Sequence, residues 1–220
     1  RIYDTPQSRH DAGCNLDCPR SERPTLSGAV ATRHQSAFGA PRLPKAPSAP
    51  AAALVIDGTV VAAASEEYSL LVDKVSRAKK IFLIGNGGLH YVASHMATDL
   101  SRLIPEKAVF SFDSVGFITS NANDHGYNKI FIRWLDTITP ADDPEDCLVI
   151  GLSCSGNSAN VVDTLHWAED NGIATFLISG APSETLRGDI DELPIQCEYF
   201  HTVEVATLMI FYDLIHRTGN

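Results

Sequence analysis

The sequence predicts an α/β fold in which helices cover both faces of a parallel β-sheet. Four or five short apolar runs, each typical of a buried strand, alternate with segments of helical periodicity from residue 52 onwards. Strands that are apolar along their whole length are typical of parallel sheets with two covered faces. Two of the runs lead straight into a glycine-rich or serine-rich turn that opens a helix, as the strands of such sheets often do.

The elements can be assigned in order along the chain. The first predicted helix covers residues 64–78, where Leu70, Leu71, Val75 and Ala78 form one apolar face. The predicted strands are short and mostly apolar, and they are IFLIG, KAVFSFD, CLVIGLS, ATFLISG and LPIQCEY. The other helices are expected in GLHYVASHMATDLSRL, NKIFIRWLDTI, ANVVDTLHWAEDNG and HTVEVATLMIFYDLIH. The polar segment SNANDHG (120–126) is expected to be a loop.

The first 51 residues differ in composition from the rest of the chain. They are rich in Arg, Ser, Pro and Ala, lack sustained periodicity and end in PRLPKAPSAPAA, which predicts an irregular tail or a linker from a preceding module. Residues 52–220 are then one folded domain. His10, Cys14 and Cys18 suggest a metal triad, but a fourth ligand at a zinc-finger spacing is missing, so we expect no metal there.

Composition limits the possible partners and compartments. The formal net charge of -10 argues against a nucleic-acid partner, because phosphate backbones require a patch of Lys and Arg. The apolar stretches are too short or too interrupted for a membrane span, and no secretory leader opens the sequence. The odd number of scattered cysteines, five, predicts reduced thiols and a cytoplasmic protein.

The first of the two turns is Gly85-Asn86-Gly87-Gly88. Glycines let the backbone approach a ligand closely, and a helix amino terminus offers unpaired N–H groups and a partial positive charge. Asn86, Gly87 and Gly88 are therefore candidate phosphate-binding residues. A tight connection between strand and helix, without any ligand, explains the same residues.

The second turn, Ser153 to Ser158, has more polar groups than a helix start requires. One side chain would cap the helix, so the hydroxyls of Ser153, Ser155 and Ser158 exceed that need. Together with Cys154, Asn157 and the peptide N–H groups, they are predicted to hold a phosphate or a similar anion. The alternative is multiple capping of the helix.

A dinucleotide site is the main competing interpretation of the first turn. IFLIGNGG leads into a helix, and the next strand ends at Asp113, roughly where a ribose-binding acid would lie. However, His90 occupies the third glycine position of that fingerprint, and the serine-rich turn would have no role. The nucleotide triphosphate loop ending in Gly-Lys-Ser or Gly-Lys-Thr is absent from the sequence.

Three motifs, in order and spacing, resemble the sugar isomerase (SIS) domain proteins, and among these the phosphoheptose isomerases. They are GNGGLHYVASHMATDL, SNANDHGY followed by IFIRWL, and LSCSGNSANVV followed by LISG, and the resemblance covers residues 60–217. It implies a three-layer αβα sandwich with a five-stranded parallel sheet. It also implies homodimers or homotetramers with active sites between subunits, and an Asn123 and Asp124 segment that faces a sugar phosphate.

The resemblance also implies an acid/base pair for proton transfer through an enediol. His95 and Asp99 occupy the positions of a family His and Glu, four residues apart on one helical face. In the final helix only Glu204 matches, because Val203, Ala206 and Phe211 stand where the family carries Gln and two His residues. We therefore expect no zinc held in the family manner, and no other cofactor.

Leu89 likewise replaces a serine that closes the family's glycine turn, so the phosphate cradle lacks one hydroxyl. Glu204, Asp124, His125 or His201 could supply the missing proton transfer, and the sequence does not choose among them.

Two functions are compatible with these residues. The first is an aldose-ketose isomerase of a phosphorylated sugar, with Asp99 as base, Glu204 or a histidine as acid, and the serine turn on the phosphate. The second is a non-catalytic protein, either a sugar-phosphate sensor or an adaptor that binds other proteins. The lost acid/base residues favour the second function, whereas the retained Asp99 and the complete SCSGNS turn favour the first.

Overall fold

The computed structural model describes residues 54–56, 59–61, 65–139, 143–197 and 199–219. The predictions for residues 1–51, including the rejected metal triad, lie outside these ranges. Within the described residues, no helix is both long enough and apolar enough to span a membrane.

Seven strands and six α-helices are assigned in the described residues. The strands are β1 (Leu54–Ile56), β2 (Thr59–Val61), β3 (Lys80–Gly85), β4 (Ala108–Ser111), β5 (Cys147–Ser153), β6 (Ala174–Ser179) and β7 (Glu192–Pro194). The helices are α1 (Glu66–Arg77), α2 (Gly88–Leu103), α3 (Val115–His125), α4 (Ile130–Ile138), α5 (Ala159–Asp170) and α6 (Phe200–Thr218).

The main sheet has five parallel strands in the order β4-β3-β5-β6-β7, which confirms the predicted fold class. β5 lies in the middle and is buried along its whole length, in keeping with its continuous apolar sequence. β1 and β2 form a separate antiparallel pair that the sequence interpretation did not include.

Helices cover both faces of the sheet, so the fold has three layers. One core cluster joins the sheet to α1, α2 and α6 and includes Leu71, Met96 and Phe211. The other joins the opposite face to α4 and α5 and includes Trp134 and Leu165. Side chains of β5 alternate between the two clusters, as the pleat of a strand requires.

The loop predicted over residues 120–126 is wrong, because most of it belongs to α3. The Ser114 side chain caps this helix by accepting from the Phe117 amide, and Gly126, at a φ of 86°, ends it. Its polar side chains bond to carbonyl groups of their own helix; the amide of Asn121, for example, donates to the Phe117 carbonyl at 3.0 Å. None of its residues is fully buried, and its few apolar side chains pack only partly against the core, so its helical periodicity is weak.

The strand predicted in LPIQCEY is also shorter than expected. β7 includes only Leu193 and Pro194 of that segment and begins one residue earlier, at Glu192. The other predicted helices and strands lie within a few residues of their expected positions.

Candidate functional site

The two polar turns meet at the carboxyl edge of the sheet. β3 and β5 are neighbours in parallel register, with Gly85 opposite Leu152, so the turn that follows each strand emerges beside the other. β4 lies on the far side of β3, and the strand order therefore changes direction between β3 and β5. In open α/β sheets, ligands bind at such a change of direction, outside the carboxyl ends of the strands.

A pair of side-chain amides joins the two turns. Asn86 Nδ2 donates to Asn160 Oδ1 at 2.8 Å, and Asn160 Nδ2 donates back to Asn86 Oδ1 at 2.8 Å. The hydroxyl of Tyr127 donates to the same Asn86 oxygen at 3.0 Å. Asn160 is buried in the first turn of α5, and the sequence interpretation did not identify it. Asn86 thus holds the turns together, and its side chain has a structural role.

The serine turn leaves two hydroxyls near the surface. Ser153 is only 1% exposed, and its Oγ donates to Ser158 Oγ at 3.0 Å and accepts from the Ser158 amide at 3.4 Å. Ser158 is the N-cap residue of α5, yet its side chain forms no capping hydrogen bond. Ser155 is exposed, and its hydroxyl accepts from the Asn157 amide at 3.2 Å. Local capping thus explains part of the surplus, since Ser153 and Ser155 accept from amides of the turn, whereas the Ser158 hydroxyl does not cap the helix.

Asn157 holds a neighbouring loop in place. Its Oδ1 accepts from Ser183 Oγ at 3.1 Å, from the Glu184 amide at 2.9 Å and from Thr185 Oγ1 at 3.1 Å. With three donors on this oxygen, the side chain of Asn157 acts chiefly on protein groups.

A carboxylate that lies close to both turns belongs to Glu204. A Cβ at Gly88 would overlap the end of the Glu204 side chain, so this carboxylate lies directly against the first turn. Burial raises the pKa of the Cys154 thiol in the serine turn, and the charge of Glu204 raises it further. The Cys154 thiol itself donates to the Phe200 carbonyl at 3.9 Å. Glu204 therefore lies between the first turn and the second.

His95 and Asp99 form a different cluster, with Tyr212 and Arg102. His95 Nε2 lies 3.5 Å from Asp99 Oδ2, and the Tyr212 hydroxyl lies 3.0 Å from both groups. Arg102 Nη2 donates to the other oxygen of Asp99 at 3.0 Å. Burial and the hydrogen bond to Asp99 raise the pKa of Tyr212. Asp99 is 7% exposed and has three polar partners, which is the arrangement a buried carboxylate requires.

This cluster is distant from the turns within one chain. α2 and α6 run side by side in the same direction, since Glu204 meets Gly88 and Tyr212 meets Asp99. Asp99 comes eleven residues after Gly88 in α2, which separates them by roughly 16 Å along the helix axis. The sequence grouped these carboxylates in one site, whereas the fold separates Glu204 from Asp99.

Asn123 and Asp124 are exposed on α3, where Asn123 Nδ2 donates to Asp124 Oδ1 at 2.8 Å. His125 and His201 are exposed as well. Within the described residues, none of these four side chains forms a hydrogen bond or an ion pair with either turn.

A cleft of about 220 Å³ opens beside the first turn. Its lining combines the turn with side chains of α2, α3 and α4, and it consists of Gly85, Asn86, Gly87, His90, Tyr91, Ile118, Tyr127, Ile130 and Phe131. A lining that combines polar with apolar groups is typical of small-molecule sites.

The final helix carries apolar residues where the resemblance implies metal-site groups. Val203 is 1% exposed and Phe211 is fully buried, and both belong to the core cluster under α6. In the part of the chain that the structure describes, no group of three or more His, Cys, Asp and Glu residues could hold a metal ion.

Comparisons with known proteins agree with this architecture, although no family model matches the chain. Phosphoheptose isomerases of Escherichia coli and Shigella boydii are 29% identical over 158 aligned positions, which cover 67% of this chain and 80% of theirs. The solved phosphoheptose isomerase of Neisseria gonorrhoeae is 18% identical, with a TM-score of 0.61 over 70% of this chain and 86% of that one. That of Francisella tularensis is 19% identical, with a TM-score of 0.55 over 68% and 86%.

The sheet order, the three layers and the paired turns define an α/β protein of the SIS fold. Its sequence is similar to those of the phosphoheptose isomerases, and its final helix differs from the pattern that the resemblance implies.

Proposed function

We propose that this protein is an isomerase of a phosphorylated sugar, which interconverts an aldose phosphate and a ketose phosphate through an enediol. The relatives at 29% identity are phosphoheptose isomerases, and a seven-carbon sugar phosphate is therefore the first substrate to test. Because the final helix diverges, a sugar phosphate of another chain length or stereochemistry is the next substrate to test.

The observation that carries this proposal is the junction of the two turns beside Glu204. The serine turn offers the hydroxyls of Ser155 and Ser158, and the first turn of α5 offers peptide N–H groups at the positive end of its dipole. These groups suit the phosphate. A carboxylate beside the same turns suits the removal of a proton from a carbon next to the carbonyl group.

The substrate-binding role of each residue remains a proposal. Ser155, Ser158, Cys154, Gly87 and Gly88 would contact the phosphate or the sugar, mainly through backbone N–H groups in the case of Cys154 and the glycines. Ser153, Asn86 and Asn157 would act by fixing the turns, since their side chains are already bonded to protein groups.

The separation of the two carboxylates is the basis for proposing an oligomer. Roughly 16 Å along α2 is more than separates the phosphate from the reactive carbons of one sugar, so Asp99 would act on a substrate bound by another copy. Several large apolar side chains are exposed in this copy, including Tyr91 at 76%, Val115 at 72% and Phe200 at 66%. A homodimer or homotetramer would cover such groups, and Asn123 and Asp124 would then face the shared site.

The test is deuterium exchange from solvent into ketose and aldose phosphates of five, six and seven carbons, followed by NMR. We expect Glu204→Gln and Asp99→Asn each to lower the exchange rate by about 10²–10⁴-fold. Asp136→Asn is a matched control, because Asp136 is an exposed residue of α4 that pairs with Arg133. No exchange with any of these sugars by the unmodified protein would refute the proposal.

Mixing the two inactive variants tests the shared site. If Asp99 of one copy serves Glu204 and the serine turn of another, mixed oligomers contain some intact sites and regain part of the activity. If both carboxylates act within one chain, every site stays defective and mixing restores nothing.

A non-catalytic sugar-phosphate sensor or adaptor is the second candidate. The burial of Val203 and Phe211 favours it, since the proton-transfer groups implied by the resemblance are replaced by core residues. Tight binding of a sugar phosphate without exchange would identify a sensor. The expected cytoplasmic location and the lack of a nucleic-acid or membrane partner rest on the sequence alone and stay predictions.

A further inference from the structure

His90 forms a carboxylate–imidazole pair at the same edge of the sheet. It lies in the first turn of α2, and its Nε2 is 3.1 Å from Asp113 Oδ1, two residues after β4. The side chain of His90 is 23% exposed and that of Asp113 is 50% exposed. The pair is therefore open to solvent, in contrast with the buried carboxylate of Asp99.

The surrounding side chains hold Asp113 in place. Its Oδ2 accepts from Ser94 Oγ at 3.2 Å and from Ser111 Oγ, while Oδ1 faces His90. A carboxylate with both oxygens occupied fixes the orientation of the imidazole ring that it contacts. Because Nε2 of His90 contacts Asp113, a ligand would bind to the other ring nitrogen, Nδ1.

The ring of His90 lines the 220 Å³ cleft together with Asn86, Gly87 and Tyr127. Asn86 also bonds to Asn160 in the first turn of α5, so the cleft adjoins the serine turn through one side chain. A sugar whose phosphate lies at the serine turn could extend into this cleft, where apolar wall groups such as Ile118 would meet its carbon chain.

We propose that His90, oriented by Asp113, contacts the sugar in this cleft and carries protons between its two reacting oxygens. The proposal rests on the isomerase function and adds a catalytic residue and a positioning residue to it. It also gives a role to two residues that the sequence analysis considered only for a dinucleotide.

The proton transfers balance over one reaction. The protonated ring gives a proton to the carbonyl oxygen while a carboxylate takes the proton from the adjacent carbon, which forms the enediol. The neutral ring then takes the proton of the neighbouring hydroxyl while the carboxylate returns its proton to the other carbon. Both groups end in their starting states, so no oxidant, reductant or further reactant is needed.

The test compares His90→Gln, His90→Ala and Asp113→Asn in the full chain with the deuterium-exchange assay. We expect His90→Gln to lower kcat by about 10²–10³-fold, because glutamine can hydrogen-bond but cannot carry a proton. Free imidazole should restore part of the activity of His90→Ala. Asp113→Asn should lower kcat less, with little change in KM, because it acts through the ring. His216→Gln and Asp136→Asn are controls at exposed sites, and circular dichroism checks the fold of each variant.

The outcomes separate this proposal from the isomerase function. Exchange within about threefold of the unmodified rate in both His90 variants would overturn the role of His90 and leave the isomerase standing. Loss of activity without imidazole rescue, together with lost affinity for the sugar phosphate, would also overturn the proton-carrying role. Absence of exchange in the unmodified protein would refute both proposals.

Discussion

Removal of Asn160 should weaken both the fold and the junction of the two turns. The Asn160→Ala change breaks two side-chain hydrogen bonds of 2.8 Å at a position that is 4% exposed. Each such bond contributes about 0.5–1.5 kcal/mol net. Asn86 is only partly buried and keeps its bond from Tyr127, so water can replace some of the loss. We therefore expect the free energy of unfolding to fall by about 2 kcal/mol.

Urea unfolding of a double-mutant cycle measures this interaction directly. The variants are Asn86→Ala, Asn160→Ala and both together, with Asn128→Ala as a control at an exposed position. The coupling energy should be roughly 1–2 kcal/mol, and the melting temperature of Asn160→Ala should fall by about 4–8 °C. A coupling energy below about 0.5 kcal/mol would contradict the conclusion that this amide pair joins the turns.

Two further predictions follow from raised pKa values. Because burial and the bond to Asp99 stabilise the neutral phenol of Tyr212, its ring should titrate above the usual pH range of tyrosine, and Asp99→Asn should lower that pKa. NMR of labelled tyrosine measures both values, and an unchanged pKa in the variant would contradict the contact. Cys154 should react slowly with iodoacetamide, since burial and, to a lesser extent, the charge of Glu204 raise the pKa of its thiol and so disfavour the reactive thiolate. Glu204→Gln should raise this rate at a fixed pH, as peptide mapping can measure, and an equal or lower rate would argue against proximity.

The sequence predicted the sheet because its strands are buried and continuous in apolar residues. CLVIGLS, for example, is β5 itself, the central and fully buried strand. α3 was missed for the opposite reason, since its few apolar side chains give only a weak helical periodicity, and its Asn and Asp residues are typical of loops. The β1–β2 pair has a recognisable signal in Asp57-Gly58 between two apolar runs, which is typical of a hairpin.

The candidate site could be predicted only in parts. The two turns were found from local sequence, but their junction depends on the order of the strands, which local sequence does not contain. Asn160 was therefore missed. His95 and Asp99 were correctly expected on one helical face, and the spacing of four residues is visible in the sequence. Tyr212 was missed because its partner lies 113 positions away in the chain.

α3 differs from the other helices because it lines the cleft but contributes no fully buried residue to the core. It supplies Ile118 to the wall of the cleft, yet none of its residues is buried in the core. Substitutions at its exposed positions can therefore change the surroundings of the cleft with little loss of folding free energy, whereas Phe117, Ile118 and Ala122 pack against the core. Variation in ligand preference among descendants of this protein would most readily accumulate in α3.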